Sequence, residues 1–147
     1  THLEYYSEMQ RRQQVNRLRE LQAEAAAHRG DLGHPQKEGG PFETLPRPAS
    51  AILTADFNFR AGDPLHGRIA APYSDGTPAY RDAWKLRHGD RPQDHTLGVH
   101  DHVQWPEAFA CDFIFVTEDI AGRVEDVAVN LDTDASDHQP VLLRLKD

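Results

Sequence analysis

The stretch Ile52-Leu53-Thr54-Ala55-Asp56-Phe57-Asn58 decides the fold class of this chain. A short apolar run that ends in polar residues is typical of a buried strand with functional groups at its carboxyl end. Layered α/β folds build their sites at such strand ends. One residue separates Asp56 from Asn58, so both side chains can point the same way and offer a carboxylate and an amide to one ligand or ion.

Further elements are predicted on both sides of this strand. Ser7-Glu8-Met9-Gln10 has the spacing of a capping box, which predicts a helix from Glu8 to about His28. Its apolar stripe should lie on a sheet, and its arginines 11, 12, 17 and 19 should form the solvated face. A Gly- and Pro-rich surface connection is expected over 30–48, short helices over 64–70 and 79–87, and strands over 111–116, 123–130 and 141–145. This order predicts an α+β or layered α/β fold.

Composition limits the classes of function. The chain has 147 residues, the size of one domain, and 16 basic against 24 acidic residues give a net charge of −8. This acidity disfavours a protein that binds by non-specific phosphate contacts. No apolar run approaches the roughly 20 residues of a membrane span, and no cleavable signal is visible. The single Cys111 excludes an internal disulfide. A soluble protein is therefore expected, with the cytoplasm favoured over secretion.

Histidines are numerous, and two interpretations of them stay open. Four are expected to be surface imidazoles because they lie in polar surroundings: His28, His34, His66 and His88. A second group lies in one polar loop and could form a zinc site: His95, His100 and His102, with Asp94 and Asp101. Loop histidines and aspartates are also common turn residues, and the chain has no Cys partner or HExxH helix for zinc, so a loop without metal is favoured.

Two more acidic positions adjoin apolar strands. Asp112 is second in an apolar strand, where a charged side chain costs several kcal/mol unless it is paired or hydrogen-bonded. Asp137-His138 closes the loop before the last strand. Each of these residues alone could be a turn or capping residue. Together with Asp56 and Asn58 they suit phosphate ester hydrolysis, because Mg²⁺ prefers carboxylate oxygens and a histidine held by an aspartate can transfer a proton.

These residues resemble a known family. Thr1-His2-Leu3, Ile52 to Asn58, Asp112 to Val116 and Ser136-Asp137-His138-Gln139-Pro140 are similar, in this order, to motifs of the endonuclease/exonuclease/phosphatase superfamily. Tyr80-Arg81-Asp82-Ala83-Trp84 and Thr96 also stand where members of the family often carry them. The resemblance runs through the whole chain. It implies part of a four-layer α/β sandwich of the DNase I type, with mostly antiparallel or mixed sheets flanked by helices.

The resemblance also implies catalytic roles. His2 would contact the scissile phosphate and could donate a proton. Asp56 would orient or deprotonate the attacking water, and Asn58 would bind phosphate. His138 would stabilise the transition state or handle a proton, and Asp112 would orient it.

A metal ion and a phosphate ester substrate follow from the same resemblance. Asp137 would be a ligand of Mg²⁺ or Mn²⁺, with Asp56 and Asn58 as further candidates. The activity implied is hydrolysis of a phosphodiester or a phosphomonoester by activated water. The substrate class stays open between nucleic acid, a lipid head group and a small metabolite. The acidic composition weakens an assignment to duplex DNA.

The chain begins at the Thr-His-Leu motif, whereas family members place an Asn and a metal-binding Glu on strands ahead of it. We therefore expect residues 1–147 to be a partial domain that lacks its N-terminal half and is inactive alone. The other half would be supplied in cis or in trans, or the exposed face would drive oligomerisation. Two alternatives remain: a catalytically silent binding module on the same scaffold, and a zinc-binding loop protein.

Overall fold

A long amino-terminal helix precedes a set of short strands and helices. The computed structural model describes residues 1–29 and 47–147. The elements are α1 (Glu8–His28), β1 (Ile52–Asp56), α2 (Pro64–Ile69), β2 (Tyr80–Asp82), α3 (Ala83–His88), β3 (Asp112–Thr117), a 3₁₀ turn (Ala121–Arg123), β4 (Val124–Val129) and β5 (Val141–Leu145). Most of the connection predicted over 30–48 lies outside the described residues, as does His34. Every helix in the described ranges is too short or too polar to cross a membrane.

Helix α1 begins and ends where the sequence predicts. The Ser7 side chain accepts from the backbone N–H of Gln10 at 3.3 Å, which satisfies one of the free donors at the helix start. The prediction that Arg19 lies on the solvated face is wrong, because Arg19 is buried. Its guanidinium donates to the carbonyl oxygens of Ile69 and Ala71, at 2.9 and 2.6 Å. Ile69 is the last residue of α2 and Ala71 follows the C-cap Ala70, so this guanidinium satisfies carbonyls at the end of the helix and just beyond it.

The strands form two antiparallel sheets. In the first, β3 is central and the order is β1-β3-β2, while β4 and β5 form the second. The register pairs Leu53 with Phe115 and Asp56 with Asp112. Helices combined with antiparallel sheets make this an α+β fold, which confirms the predicted fold class.

Strand β3 holds the core together because both of its faces are buried. Side chains alternate between the faces of a strand, so Phe113 and Phe115 join a cluster with Val15 of α1. Ile114 and Val116 point the other way and join Trp84 in a second cluster. Truncating a buried Phe typically costs about 3–5 kcal/mol of stability. The core therefore fixes β3 firmly, and with it the position of Asp112 at the start of the strand.

Two local predictions are wrong for one reason. The predicted helix over 79–87 is strand β2 followed by the shorter helix α3, whose N-cap is Asp82. His66 is buried rather than on the surface, and its Nε2 lies 2.9 Å from Asp82 Oδ2. A buried carboxylate needs partners, and His66 supplies one while the backbone N–H of Trp84 supplies another at 2.8 Å. Long-range pairing thus overrides the local pattern.

The prediction of a surface imidazole is also inaccurate for His88. This side chain is half-buried and contacts the Val127 carbonyl at 2.8 Å.

Candidate active site

The carboxyl end of β1 and the start of β3 form the floor of the candidate site. Antiparallel pairing places Asp56 directly opposite Asp112. The chain continues this pairing beyond the strand, with the Phe57 N–H donating to the Cys111 carbonyl at 2.9 Å. On the other edge of β1, His2 forms a parallel bridge with Asp56. The sheet therefore brings one histidine and two carboxylates from distant parts of the sequence to one end.

His138 lies between the two carboxylates. Its Nδ1 is 2.9 Å from Asp112 Oδ2, and its Nε2 is 3.8 Å from Asp56 Oδ2. Partial burial acts to lower the pKa of His138, but the hydrogen bond to Asp112 and the charges of Asp112, Asp56 and Asp137 together raise this pKa. The side chain keeps 31% of its surface exposed, so a ligand can reach it. This imidazole is suited to carry a proton and deliver it at the site.

Thr96 supports Asp112. Its hydroxyl donates to Asp112 Oδ2 at 2.6 Å and accepts from the backbone N–H groups of Cys111 and Asp112, both at 3.1 Å. Gln93 also donates from its side chain to the Asp112 carbonyl at 2.7 Å. These bonds offset the cost of placing a carboxylate at the edge of the core. Apart from the family resemblance, nothing in the sequence points to a role for Thr96, because a threonine or glutamine in a polar loop follows no pattern that would reveal one.

Asp56 and Asn58 form a tight turn at the end of β1. The backbone N–H of Asn58 donates to Asp56 Oδ1 at 2.8 Å, and its side-chain amide donates to the Leu3 carbonyl at 2.7 Å. Asn58 has a φ of 53°, a left-handed conformation that Asn tolerates better than most residues. The other oxygen of Asp56, Oδ2, lies 3.4 Å from His2 Nε2. Asp56 Oδ2 therefore lies near the ring nitrogens of both His2 and His138.

The metal-binding capacity of the site rests on its carboxylates. Asp56, Cys111, Asp112 and His138 each offer a ligand atom, and these atoms lie within 4.8 Å of one another. Burial and the neighbouring carboxylates raise the pKa of Cys111, so its thiol stays neutral and is a poor ligand. Asp112 Oδ2 already accepts from Thr96 and contacts His138. Within this cluster, Asp56 is therefore the best donor for a hard cation such as Mg²⁺.

Asp137, the predicted metal ligand, lies outside that cluster. It precedes His138 in the loop before β5, and its carboxylate is exposed. Asp137 Oδ2 accepts from the indole Nε1–H of Trp105 at 3.3 Å, and the Ser136 hydroxyl donates to Oδ1 at 3.4 Å. An exposed carboxylate next in sequence to His138 is a suitable oxygen ligand for a divalent cation. Trp105 is a contact that sequence reasoning missed, because it comes from a loop 32 residues away.

The zinc site considered as an alternative for this loop does not assemble in the part of the chain that the structure describes. His100 Nε2 contacts the Leu131 carbonyl at 2.8 Å, and Asp94 is bound by Arg91 through contacts of 2.8 and 3.0 Å. Asp101 Oδ1 accepts from the backbone N–H groups of residues 103 and 104. Over 1–29 and 47–147, no metal-ligand group includes any of the five loop residues. The turn-residue interpretation describes this loop better.

Comparison with known proteins identifies the fold. No protein-family model and no curated protein matches the amino-acid sequence. The chain is similar to the solved structure of an endonuclease/exonuclease/phosphatase from Bacteroides vulgatus, with a TM-score of 0.66 at 21% identity, over 99% of this chain and 47% of that one. It is similar to a mannosyl-6-phosphatase from Bacteroides thetaiotaomicron, with a TM-score of 0.62 at 19% identity, over 99% of this chain and 49% of that one. Truncated Caenorhabditis elegans TDP2 matches with a TM-score of 0.51 at 19% identity, over 96% of this chain and 50% of that one.

These likenesses show a fold of the DNase I type, which is the fold that the resemblance in the sequence implies. The chain spans about half the length of the structures it matches, which is consistent with the C-terminal half of the domain. The fold brings together five of the residues singled out from the sequence, with Asp137 beside them. The five are His2, Asp56, Asn58, Asp112 and His138.

Proposed function

We propose that this chain carries the proton-handling half of a metal-dependent phosphoesterase site. One observation carries the proposal: His138 lies between the carboxylates of Asp112 and Asp56, 2.9 and 3.8 Å away. The same end of the sheet holds Asn58, a neutral residue that can bind a phosphate oxygen without adding charge. The similar folds of a mannosyl-6-phosphatase and of an endonuclease/exonuclease/phosphatase support phosphate ester hydrolysis.

The proposed chemistry divides the work among these side chains. Asp56 orients the attacking water and accepts its proton through Oδ2. His138 in its protonated form stabilises the negative charge that develops on the phosphoryl group, and Asp112 fixes the ring through Nδ1. His2 is largely exposed and close to Asp56, so it can contact a phosphate oxygen or protonate the leaving group. No covalent intermediate with the enzyme is needed.

A divalent cation completes this scheme. When bound, Mg²⁺ or Mn²⁺ would act as a Lewis acid on the phosphoryl oxygen and offset the acidity of the protein locally. Asp137 would hold it, with Asp56 and the Asn58 side-chain oxygen as further candidate ligands. These are oxygen donors, as a hard cation requires.

We also propose that a second half of the domain completes the site. In register, Ile52 pairs with Val116 and Thr54 pairs with Ile114, so all four share one face of the first sheet. Ile114 and Val116 are buried, whereas Ile52 is 47% exposed. A cavity of about 380 Å³ opens on this face and is lined by Thr54, Ile114 and Asp112 among others. The part of this face on β1, at Ile52 and Thr54, is exposed and borders the site, and a covering layer from the same domain would lie there.

The need for a covering half can be tested by measuring the molecular mass and the activity of residues 1–147 alone. We expect residues 1–147 alone to self-associate or aggregate, and to hydrolyse no phosphate ester. Light scattering after gel filtration measures the first and a phosphate-release assay the second. A stable, monomeric and active 147-residue chain would contradict this part of the proposal.

The function itself is tested on the full-length protein. A panel of a sugar phosphate, a lipid head group ester and an oligonucleotide is assayed with Mg²⁺ or Mn²⁺; the net charge of −8 favours the small substrates. His138→Ala should reduce kcat by roughly 10²–10⁴-fold, the usual contribution of a general acid or base. The exposed His102 provides the matched control, because His102→Ala removes an imidazole outside the site. Near-normal hydrolysis by His138→Ala would overturn the proposal.

A further inference from the structure

The segment from Leu97 to Trp105 contacts the candidate metal ligand Asp137 through both its backbone and a side chain. The Gly98 N–H donates to the Asp137 carbonyl at 3.1 Å, and Leu97 forms an antiparallel bridge with His138. The Trp105 indole N–H then donates to Asp137 Oδ2 at 3.3 Å. The Asp137 backbone and carboxylate are therefore held by one loop.

The loop is shaped so that the indole returns to Asp137. Asp101 Oδ1 accepts from the backbone N–H groups of Val103 and Gln104, at 3.0 and 2.9 Å, and the Asp101 carbonyl accepts from the Trp105 N–H at 3.1 Å. These bonds close a turn that reverses the chain. The turn brings Trp105 back alongside Gly98.

At position 98, only glycine fits beside this indole. Its φ is +71°, a conformation that L side chains rarely adopt. A Cβ at this position would lie 2.5 Å from the Trp105 Cβ and 3.3 Å from its Cγ. The missing side chain thus makes room for Trp105 against the backbone that holds the Asp137 carbonyl.

We propose that Trp105 is a positioning residue that fixes the Asp137 carboxylate for divalent cation binding. The inference rests on the proposed function of Asp137 as a metal ligand. Residues that hydrogen-bond metal ligands commonly contribute about 10–100-fold to metal affinity when removed. The Trp105 contact is long for a hydrogen bond to a carboxylate, so its loss should weaken Mn²⁺ binding by about tenfold, the lower end of that range.

The test uses isotope-labelled full-length protein. Trp105→Phe keeps an aromatic ring beside Gly98 but removes the N–H donor. The matched control is Trp84→Phe, which removes the indole that donates to the Arg91 carbonyl in the core. Side-chain couplings of Asp137 report its χ1 rotamer without any metal, and Mn²⁺ affinity is measured by electron paramagnetic resonance of the free ion.

We expect one dominant Asp137 rotamer in the wild type, averaging in Trp105→Phe, and no change in Trp84→Phe. Gly98→Ala should reproduce the effect of Trp105→Phe because the added Cβ displaces the indole. An Asp137 rotamer that is averaged in the wild type, or unchanged in Trp105→Phe, would overturn the inference. A fixed rotamer that responds to Trp105→Phe in a protein that binds no Mn²⁺ would support the positioning role and refute the proposed metal site instead.

Discussion

Replacing Thr96 by valine should destabilise the protein strongly, because one hydroxyl serves three hydrogen bonds there. Thr96 is fully buried, and valine has the same shape without the donor and acceptor. The backbone N–H groups of Cys111 and Asp112, which donate to the Thr96 hydroxyl, would each lose their partner. Each loss costs about 1–3 kcal/mol of stability. The lost bond to the Asp112 carboxylate adds about 1.5–3 kcal/mol. Allowing for local relaxation, we expect a loss of about 3–6 kcal/mol in the free energy of unfolding.

Urea unfolding followed by circular dichroism measures this loss. The control is Thr96→Ser, which keeps the hydroxyl and removes one methyl group, at a cost of about 1 kcal/mol. A typical domain has only about 5–15 kcal/mol in total, so the two variants should differ visibly in their midpoints. If Thr96→Val unfolds within about 1 kcal/mol of Thr96→Ser, the three hydrogen bonds of the hydroxyl do not stabilise Asp112 and its backbone.

Three further predictions concern the site and the core. Asp112→Asn should lower the pKa of His138, measured by NMR titration of its ring protons, and Asp137→Asn should lower it less because it removes only a charge; the reverse order would contradict the assignment. The interactions of protonated His138 with the nearby carboxylates, which raise its pKa, should stabilise the fold fully below a pH of about 6.5. This contribution should disappear as the pH rises through the raised native pKa. Unfolding across that range should show this component in the wild type, and a component that persists in His138→Gln would exclude His138 as its source. Phe113→Ala should cost about 3–5 kcal/mol in thermal unfolding, since Phe113 is buried at the centre of the first cluster, and a loss below about 1 kcal/mol would refute this.

Elements with local signals were predictable from the sequence. Helix α1 matches its predicted bounds because the capping side chain of Ser7 lies beside the helix it starts. The apolar runs of β1, β3 and β5 were also placed to within one or two residues. The candidate site followed from these strands, since polar residues at strand ends are visible without a structure.

Features that depend on distant partners were not predictable in this way. Strand β2 exists because residues 80–82 pair with β3, while the residues themselves read as the start of a helix. The burial of His66 depends on Asp82, and the burial of Arg19 depends on the carbonyls at the end of α2. Thr96 and Trp105 lie in a polar loop whose sequence shows no regular apolar pattern. In each case the decisive contact is a long-range hydrogen bond rather than a local preference.

The pairing of Asp56 with Asp112 has a consequence for how this protein could change under selection. Like charges directly opposite each other on neighbouring strands oppose pairing of the sheet, by up to about 1 kcal/mol. Asp56 has fewer structural contacts to lose than Asp112, so Asp56→Asn should relieve that repulsion while abolishing the chemistry proposed for the site. Selection for thermal tolerance alone would therefore erode the candidate active site first, and engineering for robustness should keep position 56 fixed.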